Sequence, residues 1–228
     1  MEAIVLAGGF GTRLRKVVAD VPKPMASIVG RPFLEILLGT LAQKGFSRVV
    51  LAVGFMAEMI SGHFGSRFAG LDLVYAVEDV PLGTGGAARL AAEACRQDHV
   101  YVFNGDTYLN LESERLEQQW LAKRHPIVVG RQVPDTMRYG RLVVDGCRIT
   151  RFAEKGIAGP GLINAGCYVL ATDALAGFPL NHPFSIETDY LVPEVALATV
   201  EVFVTEGIFI DIGVPEDYAL AQKLLAGR

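Results

Sequence analysis

Cysteine is scarce in this chain, and odd in number: Cys95, Cys147 and Cys167 lie far apart in 228 residues. Such spacing supports neither a zinc site nor a disulfide framework and reads as buried thiols in a reducing compartment. Positive charge is not in excess, since 21 Lys and Arg face 25 Asp and Glu for a formal charge of −4. No basic field therefore invites nucleic acid. No apolar run approaches the length of a membrane span, so no membrane partner is expected. Met1 runs straight into an apolar strand, and no targeting leader is expected; the expected location is cytoplasmic. His63, His99, His125 and His182 show no metal-ligand spacing and no pairing with a serine, and none is given a role. Repeats, low-complexity runs and linkers are absent as well.

What is present is an apolar chain, 51% hydrophobic, long enough for one large α/β domain. Ala3 to Leu6 reads as a buried strand. A helix is expected over 32–44, a strand over 48–53, a short helix over 58–64 and a strand over 73–77. A further helix over 87–96, a strand over 99–103, a helix over 116–123 and a strand over 127–129 follow. This alternation predicts a parallel sheet with right-handed crossovers, whose ligands sit at the carboxyl ends of the strands. After about residue 130 the pattern turns β-rich. A hairpin is expected at 141–152 around Asp145-Gly146, and a strand over 161–170 broken at Asn164-Ala165-Gly166. Helical sequence over 186–198, strands over 200–204 and 208–210, and a closing helix over 215–225 complete the chain. The expected fold is α/β: a Rossmann-like, mostly parallel sheet flanked by helices, with an inserted β-rich lid, in one domain over 1–228.

Four stretches carry chemistry. The first strand empties into Gly8-Gly9-Phe10-Gly11-Thr12-Arg13, with Pro22-Lys23-Pro24 just downstream. Glycines let backbone N–H groups approach an anion, and Arg13 and Lys23 add positive charge. Position 14 is Leu14, which excludes the G-x-G-x-x-G dinucleotide fingerprint, and no Gly-Lys-Ser/Thr triplet follows Gly11. The plain alternative is a tight turn with a surface arginine. Gly83-Thr84-Gly85-Gly86 precedes a helix and offers a flat surface for a base or ribose, or else a simple strand-to-helix turn. Asp106 and Asp211 each follow an apolar strand beside a glycine, and could meet on one hard cation or serve as caps and turn residues. Glu154-Lys155-Gly156 is either a site for a polar, anionic ligand or an exposed charged loop.

The pattern Gly-Gly-x-Gly-Thr-Arg followed by Pro-Lys-Pro resembles the sugar-1-phosphate nucleotidylyltransferases, which join a nucleoside triphosphate to a sugar 1-phosphate. The likeness runs from Ile4 to Ala221 with the motifs in the family's order. Pro81 to Gly86 looks like a base-contacting segment of guanylyltransferases that act on manno-configured sugars. The general likeness runs towards D-glycero-α-D-manno-heptose 1-phosphate guanylyltransferases. The resemblance implies the nucleotide-diphospho-sugar transferase fold, with nucleotide taken by about 1–130 and sugar by about 131–228. It implies nucleotide contacts from Leu6, Ala7, Gly8, Gly9, Gly11, Thr12 and Arg13. Pro81, Gly83, Thr84, Gly85 and Asp106 would contact the nucleotide as well. Lys23, Glu154, Lys155, Asn164 and Gly166 would meet the sugar phosphate. Mg²⁺ would rest on Asp106 and Asp211, and Arg13, Lys23, Asp106 and Asp211 would be catalytic. Longer relatives add a left-handed β-helix that is not found here, so acetyl transfer is not expected.

The reaction so implied is GTP plus a sugar 1-phosphate giving a GDP-sugar and pyrophosphate, with the sugar expected to be D-glycero-α-D-manno-heptose 1-phosphate. The attacking phosphate oxygen is already ionised, so no general base is needed, and catalysis is positioning plus charge neutralisation. The product would feed a surface polysaccharide. A homodimer is the expected assembly. The alternatives are a mannose-1-phosphate guanylyltransferase, a uridylyltransferase of the same family, and a nucleotide-sugar-binding regulatory protein without turnover.

Overall fold

The computed structural model describes residues 1–9, 11, 14, 18 and 20–227. Strand β1 (Glu2–Leu6) is followed by a single 3-10 turn at Lys23–Met25 and a small ribbon, β2 (Ser27–Ile28) and β3 (Arg31–Pro32). Then come α1 (Phe33–Gln43), β4 (Arg48–Val53), α2 (Ala57–Phe64), β5 (Arg67–Phe68), β6 (Leu71–Val77) and α3 (Gly83–Ala92). β7 (His99–Asn104), β8 (Thr107–Leu109), α4 (Ser113–Lys123) and β9 (Ile127–Val133) lead to the hairpin β10 (Arg141–Asp145) and β11 (Arg148–Ala153). β12 (Gly161–Ala171) precedes a π-helical turn at Ile186–Leu191 that runs into α5 (Val192–Leu197). β13 (Glu201–Thr205), β14 (Phe209–Asp211) and α6 (Pro215–Leu224) end the chain.

Among the described residues ten strands form one sheet, in the order β10-β11-β13-β9-β12-β7-β1-β4-β6-β5. β7, β1, β4 and β6 are mutually parallel, as the strand–helix alternation predicts. β12 then runs antiparallel to both β7 and β9, and β9 pairs parallel with β13. The second-half strands thus continue the central sheet within one continuous fold, adding antiparallel pairs beside its parallel core. The break expected at 164–166 is a register shift between Asn164 and Tyr168 against β9.

Alternation along β1 sends Ala3 and Val5 to one face and Ile4 to the other. The first face packs under Leu34, Leu37, Leu38 and Leu41 of α1 and Leu116 and Trp120 of α4. The second packs under Ala88, Ala91 and Ala92 of α3 and Ile186 and Leu191 of the π-helical turn. A third core joins Phe33 and Ile36, on the other side of α1, to Tyr108, Ile210 and Ala221. It seats α6 and β14 beside the carboxyl end of the sheet.

Two expectations are corrected. Strand β14 is not part of the central sheet; it pairs antiparallel with β8 in a separate ribbon, Asp211 opposite Thr107. Helix α3 begins at Gly83, not at 87, because distant residues supply its cap. Phe184 O accepts from the N–H of Gly85 at 2.9 Å, and Thr84 Oγ1 accepts from Ile186 N at 3.0 Å. These contacts satisfy donors and pin a first turn whose glycines alone would not hold a helix. No helix among the described residues is long and apolar enough to cross a membrane.

Candidate active site

The parallel strands β1, β6 and β7 deliver their carboxyl ends to one cavity of about 390 Å³. Leu6, Ala7, Gly8, Gly9 and Gly11 form one wall, Pro81, Gly83, Thr84 and Ala87 another, and Lys23, Asn104, Gly105 and Asp106 the floor. Ten of the residues singled out in the sequence are therefore brought together: Leu6, Ala7, Gly8, Gly9, Gly11, Lys23, Pro81, Gly83, Thr84 and Asp106. Thr12 and Arg13 lie outside the described residues.

Two glycines of the first loop, Gly8 and Gly11, are there for space. A Cβ on Gly8 would come 2.3 Å from Glu78 Oε1, and one on Gly11, at φ +59°, would come 2.8 Å from Lys23 Cβ. The loop can thus lie against a carboxylate on one side and a lysine stem on the other. Lys23 is fixed by its neighbours: Pro22 stands extended before it, Pro24 is buried after it, and the 3-10 turn closes with Ala26 N donating to Lys23 O at 3.0 Å. The ammonium is directed inward, and its side chain is only 9% exposed.

That ammonium donates to Asp106 Oδ2 and lies 4.0 Å from Asp211 Oδ1. Asp106 stands in the turn from β7 to β8, and its carbonyl accepts from Ile212 N at 2.9 Å. Asp211 reaches the same place from the β8–β14 ribbon, with Oδ1 accepting from Gly213 N at 2.6 Å. The two aspartates keep 33% and 29% of their side chains exposed. Two partly exposed carboxylates converging on one cation at the edge of a cavity fit a hard divalent ion that draws its other ligands from phosphate and water. Among the described residues no group of three or more His, Cys, Asp and Glu gathers for a metal.

Not every expected residue joins this cavity. Gly85 is turned away: a Cβ there would come 2.2 Å from the Phe184 ring, so its lack of a side chain serves packing. Glu154 and Lys155 are exposed on the loop after β11, apart from the cavity lining. Asn164 spends its side chain internally, donating from Nδ2 to Tyr168 OH at 2.9 Å and Glu187 Oε2 at 2.8 Å, and accepting from Gly166 N at 2.9 Å. Burial pushes the Tyr168 hydroxyl's pKa up, beyond its ordinary range. Gly166 acts by its smallness, since a Cβ there would come 2.6 Å from Asn104 Nδ2, and Asn104 lines the floor.

Glu78 was missed. It lines the cavity one residue beyond β6, and its Oε2 accepts from Leu82 N at 2.8 Å. Burial raises its carboxyl above the usual range, opposed by that hydrogen bond. The signal was available: Glu78 ends a parallel strand, the same rule that pointed to Asp106.

A glycine-walled cavity at the carboxyl ends of parallel strands, floored by Lys23 and Asp106 with Asp211 beside the lysine, suits a nucleoside triphosphate. The nucleotidyl transferase family model matches residues 2–226, and the chain belongs to that family. It is 36% identical over 226 residues to the D-glycero-α-D-manno-heptose 1-phosphate guanylyltransferase of Aneurinibacillus thermoaerophilus, covering 99% of this chain and 98% of that one. It is 38% identical over 219 residues to the enzyme of the same description from Campylobacter jejuni, covering 96% and 97%. In structure it is similar to HddC from Yersinia pseudotuberculosis, complexed with GMP-PN, with a TM-score of 0.88, 36% identity and coverage of 98% and 99%.

Proposed function

We propose that the chain transfers the guanylyl group of GTP to D-glycero-α-D-manno-heptose 1-phosphate, giving GDP-heptose and pyrophosphate. The observation that carries this reading is the Lys23 ammonium set between Asp106 and Asp211 on the floor of the glycine-walled cavity. Relatives of nearly equal length that carry this description supply the choice of sugar.

In this reading the glycine loop offers backbone donors to the phosphates, and Lys23 draws the α-phosphate and the attacking sugar phosphate together. Arg13 steadies the outer phosphates. Asp106 and Asp211 hold Mg²⁺, which when bound offsets charge on the α-phosphate and the leaving pyrophosphate. The chain's own contribution is to bring two anions within reach and keep them in line. Glu78 supports guanine: a carboxylate accepts, and guanine's edge carries two adjacent donors, N1–H and the 2-amino group. Uracil and thymine present one N–H between two carbonyls, which a carboxylate repels. The sugar ring would lie towards Glu187, with Asn164 holding that carboxylate in place. Glu154 and Lys155 would reach the sugar phosphate from the loop's edge. The fold is read as one unit over 1–228, acting in the cytoplasm and assembling as a homodimer.

The test is a matrix of nucleoside triphosphates against sugar 1-phosphates, scored by pyrophosphate release. GTP with the heptose phosphate is expected to give the highest kcat/KM. Equal turnover with UTP would overturn the base assignment. Higher turnover with mannose 1-phosphate would overturn the sugar. Tight nucleotide binding with no pyrophosphate released would leave a binding protein.

A further inference from the structure

Asp211 sits on a short ribbon of three-residue strands, outside the central sheet, and so needs support from elsewhere. Besides the third core that seats β14, support comes from the loop between β9 and β10. Arg138 and Tyr139, in that loop, grip the segment on both sides of Asp211. Arg138 Nη2 donates to Asp217 Oδ2, in the first turn of α6, six residues after Asp211. The Tyr139 ring meets the Phe209 ring edge-on at 6.2 Å between centroids, two residues before Asp211. The guanidinium of Arg138 also lies over the Tyr139 ring at 5.5 Å, so the two grips brace each other.

The same loop is stitched to the Glu154-Lys155-Gly156 loop. Gly156 N donates to Met137 O at 3.1 Å, and Gly159 N to Asp135 Oδ1 at 3.0 Å. Thr136, fully buried, donates from Oγ1 to Ile157 O at 2.6 Å and accepts from Arg141 Nε at 2.6 Å. The two loops therefore move as one piece, and Arg138 and Tyr139 are where that piece grasps the Asp211 segment.

We propose that Arg138 and Tyr139 are positioning residues that hold Asp211 in register with Asp106 and Lys23, tying the sugar-side loops to the cation end of the site. The proposal rests on the reading of Asp106 and Asp211 as metal carboxylates. Neither residue touches the reacting atoms. Their effect passes through the β14–α6 segment, so a change in either should loosen cation binding and sugar-phosphate binding together.

The test has two arms. In hydrogen–deuterium exchange on the whole protein, free of substrates, Asp217→Asn and Tyr139→Ala are expected to speed exchange in 134–140, 154–160 and 207–213, leaving the central strands unchanged. In turnover with GTP and the heptose phosphate, Arg138→Ala and Tyr139→Ala are expected to raise the half-saturating Mg²⁺ concentration and the sugar-phosphate KM by about tenfold, short of the hundredfold that a 1 Å misplacement can cost. The KM for GTP should stay put, Arg138→Lys should restore part of the loss, and Arg138→Ala/Asp217→Asn should be no worse than either single change. Unchanged exchange in 207–213 overturns the proposal whatever the turnover shows. So do faster exchange with an unaltered Mg²⁺ requirement, and a uniform fall in kcat with every KM fixed. If the wild-type protein releases no pyrophosphate, the functional reading fails, and the exchange arm still decides whether the grip exists.

Discussion

The two ends of the central strands use the same kinds of residue in opposite ways. At the amino ends, Glu2 is 2% exposed; its Oε1 pairs with Arg48 Nε at 2.8 Å, and its Oε2 accepts from the N–H groups of Arg96 and Gln97 at 2.8 and 3.1 Å. His99 lies between Asp98 and Glu117, and Tyr101 donates to Glu117 as well. At the carboxyl ends, Asp106 and Asp211 share a single ammonium, keep about a third of their side chains exposed, and Asp106 lines the cavity. A carboxylate whose oxygens are all engaged locks the fold, because removing a partner strands a buried charge. One that stays partly exposed beside a cavity is placed to meet a ligand. The difference between structure and function here lies in how complete the local pairing is, not in which residues are used.

That contrast can be broken from either side. The largest effect is expected at the open end: Asp106→Asn should lower kcat/KM by about a hundredfold or more, as loss of one charge-stabilising group does. Its melting temperature should hardly move. Asp106→Asn/Asp211→Asn should fall well short of the product of the single losses, because both act on one ion. Steady-state kinetics beside a thermal melt checks both halves, and a large drop in melting temperature would erase the contrast.

At the closed end, Glu2→Ala should cost about 3 kcal/mol of stability by urea titration, the low end for unpairing a buried charge. The kcat/KM of the folded fraction should not change. Between these lies Glu78, half-buried and lining the cavity like Asp106. Glu78→Gln should cut the preference for GTP over UTP by about tenfold, because an amide can donate to a carbonyl that the carboxylate repels. Competition between the two nucleotides measures it.

The smallest effect is a pH dependence at the closed end. Hydrogen bonds from His99 and Arg124 hold the exposed Asp98 carboxyl down at about 2. A lowered carboxyl contributes stability that is present above its ordinary value near 4 and is lost as pH falls towards about 2. The urea midpoint of Asp98→Asn should therefore fall less steeply than that of the wild type over that window. Parallel slopes would count against it.

How much of this was legible depended on where the deciding contact lay in the chain. Strands β1, β4 and β7 are nearly continuous apolar runs because both faces are covered, and they read plainly. Asp106 and the first glycine loop followed from the ends of those strands. The start of α3 did not, because its cap is the Phe184 carbonyl, about a hundred residues away, and glycines without it look like a loop. Asp211 was placed near the strand ends, but it lies on a ribbon rather than on the main sheet, since the third core around Ile210 and Tyr108 seats it there. Glu78 was given no role; what lets it turn towards the cavity is the bare backbone of Gly8, a contact made from a distant strand. Asn164 looked free to bind a sugar, and nothing local reveals that Glu187 takes its amide.

If Asp106 and Asp211 hold the metal as proposed, the Lys23 ammonium between them would also set an order of events. A tethered counterion already neutralises much of the charge that would attract a bare divalent ion from solution. Metal alone must compete with a rival that never leaves, and its affinity should be poor. Metal arriving on a triphosphate brings an alternative anion for the lysine to follow, so both partners exchange at once. On that reading the resting enzyme would behave as an electrostatic latch, closed to loose metal ions and opened by the metal–nucleotide complex.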